Sequence, residues 1–174
     1  MTIPAADGPA QIPIHVSPRR LVRVPLGHFE RILDAHGRVA SGRLRTFEAF
    51  VTLVGETCRE KDPHVDLSVP VWFRYEDPET GWGVGIRGQA ESSPRKILIR
   101  FNEYAGAADW VQVLAEEWRH IGQYQREEEA CTGKGGCGCE RCRAPQPEYR
   151  DDPVEHDAKG FALEISSLLT AALA

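Results

Sequence analysis

The 174-residue chain has no apolar run long enough to cross a bilayer. Its start, MTIPAADGPAQIPIHVSPRR, lacks the charged opening and apolar stretch of a signal peptide. Together these absences predict a cytoplasmic protein with no membrane partner. Positive charge is not in excess either. With 21 Lys and Arg against 26 Asp and Glu the net charge is −5, which gives no electrostatic reason to expect nucleic acid. No internal repeat is visible, and nothing marks a second domain.

What is present is close to the average of a globular protein: 41% hydrophobic and 27% charged residues, with a mean hydropathy of −0.39. The length suffices for one domain with a genuine core. Residues 1–18 carry Pro4, Pro9, Pro13 and Pro18, so an extended or disordered arm is expected there, with a single domain over 19–174. A short helix is predicted at Phe29–Ala35, ending at Gly37. A longer one should run from a Ser41 cap to about Arg59, with Leu44, Phe47, Phe50, Val51 and Val54 at helical spacing. Three strands follow, Val69–Tyr75, Gly83–Arg87 and Lys96–Phe101, separated by the turn signals Asp77-Pro78-Glu79-Thr80-Gly81 and Ser92-Ser93-Pro94. Asp109 is placed to cap a helix reaching about Arg126. Residues 127–152, rich in Glu, Gly, Cys and Pro, read as a loop or inserted knuckle before a last helix that starts at Asp152-Pro153.

The five cysteines are unevenly spread. Cys131, Cys137, Cys139 and Cys142 lie within twelve residues, and Cys58 stands far off. In a reducing compartment such clustering points to metal rather than to disulfides. Glycines between the four thiols allow tight turns around one tetrahedral zinc. Cys139-x-x-Cys142 is the usual chelating pair, while Cys137-Gly-Cys139 is tighter than zinc-finger spacing. A flexible loop of reduced thiols is the alternative, and no motif supports an iron–sulfur cluster. Cys58 is expected to pack as a small apolar residue.

The segment Val111–Gln125, VQVLAEEWRHIGQYQ, carries the most chemistry. In an H-E-x-x-H helix, two histidines one turn apart hold zinc and the glutamate between them activates a water. Here Glu117 and His120 occupy the second and last positions of that pattern, and Glu116 stands where the first histidine belongs. Glu116 and His120 can converge on one point, or form an ordinary i,i+4 surface pair. Glu117 falls on a mostly apolar face, where an ionised carboxylate is costly unless paired or bound to metal. Glu155 opens the last helix and is a candidate third ligand from a second element. It also fits a capping pattern, with Asp152 at the N-cap, Pro153 next and Glu155 reaching back.

Taken in order, the strand Lys96–Phe101, the helix with AEEWRHIGQYQ and the helix opening EHDAKGFALE resemble the small gluzincin metallopeptidases. The likeness covers about residues 70–173 apart from the 127–152 insert. It implies an α+β fold: a zincin-like domain with a three-stranded sheet, two N-terminal helices, an HExxH-type helix and a C-terminal helix. The resemblance further implies zinc held by Glu116, His120 and Glu155, with Glu117 as general base. An extended peptide would then pair with the edge of the Lys96–Phe101 strand. Two carboxylates would acidify a zinc-bound water less than two imidazoles do. The degenerate motif therefore also fits an inactive scaffold that binds a protein through its groove and knuckle. Arg119, Gln123, Tyr124, Gln125 and Asp157-Ala158 add to the likeness.

Other motifs are weaker. Gly81-Trp-Gly-Val-Gly-Ile-Arg-Gly88 has no Lys-Ser/Thr after it, and reads as a glycine-rich strand rather than a phosphate loop. A diiron site needs two E-x-x-H motifs, and only Glu117–His120 fits. His15, His28, His36 and His64 have no partner pattern and are expected to be ordinary surface or turn residues. His156 should face solvent.

Overall fold

The computed structural model describes residues 11–80, 85–130 and 152–173. The cysteine cluster at 131–142 lies outside the described residues. The fold is α+β: four α-helices, among the described residues, pack with one four-stranded mixed sheet. No helix among the described residues is long and apolar enough to cross a membrane.

Helix α1 (Leu26–Ala35) buries Leu26, Phe29, Ile32 and Leu33, which recur at helical spacing. It ends as its sequence predicts, because Gly37 takes φ +68° and the amide of Arg38 reaches back to the Leu33 carbonyl. Helix α2 (Arg43–Lys61) begins after Gly42 rather than on a Ser41 cap, and no side chain caps it. Phe47, Phe50, Val51 and Val54 are buried as expected, whereas Leu44 is exposed in its first turn. Cys58 is fully buried in α2, and burial pushes its thiol pKa far up, which leaves an inert apolar residue.

The sheet order is β1 (Ile14–His15), β2 (Val71–Tyr75), β4 (Arg95–Phe101), β3 (Ile86–Ser92). It has four strands rather than the three expected. The extra one comes from the N-terminal segment, where Ile12 enters the core and Ile14 pairs in parallel with Val71. Among the described residues the middle strand spans Ile86–Ser92, running past the end expected at Arg87. Antiparallel pairing from Ile86↔Phe101 to Ser92↔Arg95 sets its limits, which local composition does not reveal. β2 and β4 pair in parallel from Val71↔Ile97 to Tyr75↔Phe101. Strand β4 is therefore interior, so the edge expected at Lys96–Phe101 does not exist; among the described residues the edge strands are β1 and β3.

One face of the sheet (Val71, Phe73, Ile97, Ile99, Phe101) packs into the core. There Phe47, Phe73, Phe101 and Phe29 surround Trp110 at centroid distances of 5.1 to 6.0 Å. Trp110 opens helix α3 (Ala107–Ala130). Asp109 is not its N-cap. It sits in the first turn, and its carboxylate accepts from the amide of Gly106 at 3.0 Å, the reciprocal half of a capping box. Helices α2 and α3 approach closely at Gly55, where a Cβ would lie 2.9 Å from both Trp118 and Ile12. Helix α4 (Pro153–Thr170) packs along α3 and closes the domain.

Candidate metal centre

Helix α3 carries two lines of polar side chains at one turn's spacing, and both are buried by what crosses them. Glu117 faces β3 and is only 6% exposed, while His120 is 8% exposed between α3 and α4. Asp152 caps α4 by accepting from the Val154 amide at 2.9 Å. Pro153 fixes the first turn, and that same turn brings Glu155 opposite His120. The Glu155 carboxylate is directed at the ring, with Oε1 3.6 Å from His120 Nε2.

Ligand atoms of Glu116, His120 and Glu155 all lie within 4.8 Å of one another. They open into a cleft of about 400 Å³ whose other wall is β3, from Ile86 to Ala90. The donor set is one imidazole nitrogen and two carboxylates, which suits zinc. His120 Nδ1 donates to Gln123 Oε1 at 2.8 Å, which turns Nε2 towards the two carboxylates. Gln123 is held in turn, since its Nε2 donates to Asp157 at 2.8 Å and to the Val154 carbonyl at 3.1 Å. The ring is thus oriented by a chain of partners from both helices.

Glu117 stands beside this group. Its carboxylate accepts from the Ala90 amide, and Tyr124 Oη donates to the Ala90 carbonyl at 3.3 Å, so both outward groups of Ala90 are used. Burial raises the Glu117 pKa to about 8, with Glu116 and Glu155 adding to the rise and the Ala90 amide opposing it. Burial also raises the pKa of Glu116; Glu155 adds to that rise, while His120 and Lys159 oppose it. The negative charges of Glu116 and Glu155 disfavour ionised Glu117, and a divalent cation would relieve that repulsion.

A second buried network braces the site from behind. Asp62, at the end of α2 and 3% exposed, accepts from Arg119 at 2.7 Å and from Arg126 at 2.7 and 2.9 Å. Arg119 also donates to Asp157 at 2.7 and 3.0 Å. Burial alone would raise the Asp62 pKa, but the Arg126 bond, the His64 amide and the two guanidinium charges bring it below the usual range. The Arg119 bond does the same for Asp157.

The structure thus brings together Glu116, Glu117, His120 and Glu155. Cys131, Cys137, Cys139 and Cys142 lie outside the described residues. Reading the sequence missed Asp62, Arg126 and Gly88. A Cβ on Gly88 would lie 2.5 Å from Glu117 Oε1 and 2.6 Å from Cδ, so only glycine admits that side chain. The glycine-rich strand pattern was the visible signal of this close approach. Asp62 left no such signal, since its partners lie 57 and 64 residues further on. Among the histidines, His15 stacks on Trp72 and His36 Nε2 donates to the Leu169 carbonyl at the end of α4.

Compared with known proteins, the chain matches no family model, no curated protein and no solved structure.

Proposed function

We propose that this protein is a zincin-like, zinc-dependent hydrolase with a variant Glu/His/Glu centre, acting on peptide bonds. The observation that carries the reading is the convergence of Glu116, His120 and Glu155 from two helices in an open cleft. Glu116 and Glu155 would each give a carboxylate oxygen and His120 its Nε2. Zinc bound there would polarise a carbonyl oxygen and acidify water. Glu117 would take the water's proton on its carboxylate and pass it to the leaving amine. Burial supports that role, because a base whose pKa lies near neutrality can both accept and return a proton. The exposed edge of β3 would align an extended substrate through its outward backbone groups at Ile86 and Gly88. A second zinc in the four-cysteine knuckle would be structural, and its thiols would stay reduced in the cytoplasm.

One observation favours the inactive-scaffold alternative: Glu117 is tied to β3 by the Ala90 amide, as a purely structural strut would be. A pair of measurements separates the two. Zinc per chain is determined with Cys131, Cys137, Cys139 and Cys142 all replaced by Ser, then again with His120→Ala added. About one zinc retained and then lost supports the centre. Peptidase activity that vanishes in Glu117→Gln while zinc is kept supports catalysis. Zinc retained with no activity in either protein leaves a binding scaffold.

A further inference from the structure

The cleft of the candidate metal centre is walled by the outer edge of β3, and that edge is not open along its whole length. Antiparallel pairing with β4 turns the backbone groups of every second residue, Ile86, Gly88 and Ala90, away from β4. At Ala90 both groups are taken, because Glu117 accepts from the amide and Tyr124 Oη donates to the carbonyl at 3.3 Å. Just beyond, the turn from β3 into β4 is tied to α3, where Arg95 Nη1 donates to Gln125 Oε1. Glu117, Tyr124 and Gln125 thus follow one another along α3 as Gly88, Ala90 and the turn do along β3. Among the described residues the cleft is blind at its Ala90 end, and Ile86 and Gly88 remain for pairing. Its volume of about 400 Å³ is near the lower limit of small-molecule sites.

The blind end decides which part of a chain can enter. An added strand pairs more stably antiparallel than parallel, and laid so on β3 it points its amino terminus at Ala90. The residue opposite Gly88 exchanges two backbone hydrogen bonds with it. The next residue towards the amino terminus lies opposite Gln89, whose backbone groups face β4, and needs no bond from the edge. One residue more would lie opposite Ala90 and find its amide and carbonyl already used, leaving its own groups unpaired. Each step along the strand is about 3.4 Å, so room ends one residue beyond Gly88. Glu117 lies against Gly88, which puts its carboxylate at the peptide bond joining the last two residues.

We infer that the cleft takes the amino terminus of a peptide and that the centre releases one N-terminal residue at a time. Water adds across the first peptide bond: its oxygen bonds to the carbonyl carbon, the C–N bond breaks, and a proton passes by way of Glu117 to the leaving amine. The products are a free amino acid and a peptide shorter by one residue. The hydrolysis rests on the proposed peptidase activity, whereas the blind end would be met by any peptide bound along β3.

The zinc-loaded full chain is given a pentapeptide library in three forms, free at both ends, N-acetylated and C-amidated, and the products are identified by mass spectrometry. Release of the first residue alone is expected, unaffected by amidation and slowed about 10–100-fold by acetylation. Release of the last residue, cutting at internal bonds, or equal cutting of the acetylated form overturns the inference and leaves a peptidase. Binding supplies a readout without turnover. Glu117→Gln still accepts from the Ala90 amide, and by calorimetry this variant, loaded with zinc, should bind pentaalanine about tenfold or more tightly than acetyl-pentaalanine. Equal binding, or none, overturns the inference; a preference without hydrolysis by the parent protein overturns the peptidase activity and keeps the blind end. Adding Tyr124→Ala should open that end and remove most of the preference. Tyr124→Phe frees only the Ala90 carbonyl and takes its place if thermal unfolding shows Tyr124→Ala misfolded. A preference unchanged by the Tyr124 variant also overturns the inference.

Discussion

Replacing Gly88 by alanine tests the packing on which the candidate centre depends. In an ordinary strand this change is favourable, because alanine loses less backbone entropy than glycine, by roughly 0.5–1 kcal/mol. Here the added methyl group would sit 2.5 Å from Glu117 Oε1 and 2.6 Å from its Cδ, against the 3.5–4.0 Å at which carbon atoms pack comfortably. Neither partner can move cheaply. β3 is paired to β4 along its whole length, and Glu117 is anchored in the middle of α3. If the strand shifts, overpacking costs about 1–3 kcal/mol. If the carboxyl group swings away, it gives up the Ala90 amide and leaves a buried polar group unpaired, again about 1–3 kcal/mol. The cheaper of the two routes sets the cost, and after the backbone-entropy gain a net loss of about 1–2 kcal/mol is expected. Urea unfolding followed by circular dichroism measures it as a lower midpoint with unchanged slope. The decisive comparison is Gly88→Ala combined with Glu117→Ala, where the clash has no partner and most of the loss should return. A neutral Gly88→Ala, or a double variant whose losses simply add, would refute the close approach of β3 and Glu117.

Three further outcomes are expected. Gly122→Ala places a Cβ 2.6 Å from Asp62 Oδ2 and should displace that carboxylate from Arg119 and Arg126; a lower unfolding temperature without loss of helix content in circular dichroism checks it. Asp62→Ala removes the partner shared by Arg119 and Arg126, and with Asp157 and solvent still available to the guanidinium groups it should cost about 1–3 kcal/mol at neutral pH. Because the Asp62 pKa is lowered in the fold, its contribution is present above the unfolded value near 3.9 and lost as pH falls through the folded value. Thermal melts from pH 2 to 6 should therefore be flatter at the acid end in Asp62→Asn than in the parent protein. Finally, Gln123→Ala releases His120 Nδ1 and should weaken zinc binding by about 10–100-fold, read by competition with a chromophoric chelator, while the fold is retained.

The sequence by itself determined what is local. Periodicity placed α2, α3 and α4, the Asp152-Pro153 start of α4 follows from the chemistry of a helix terminus, and Gly37 ended α1. The spacing of Glu116 and His120 puts them one turn apart on any helix, so two of the three residues of the candidate metal group were already implied. Everything that joins distant segments was decided by tertiary structure. Whether Glu155 caps its own helix or faces His120 depends on how α4 lies along α3, and only packing sets that angle. Ile14 becomes a strand because β2 offers it an edge, and β3 runs on to Ser92 because β4 sets its register. Asp62 is a surface-type residue by composition. It is buried because two arginines from α3 close over it, and such pairing has no signature within either segment.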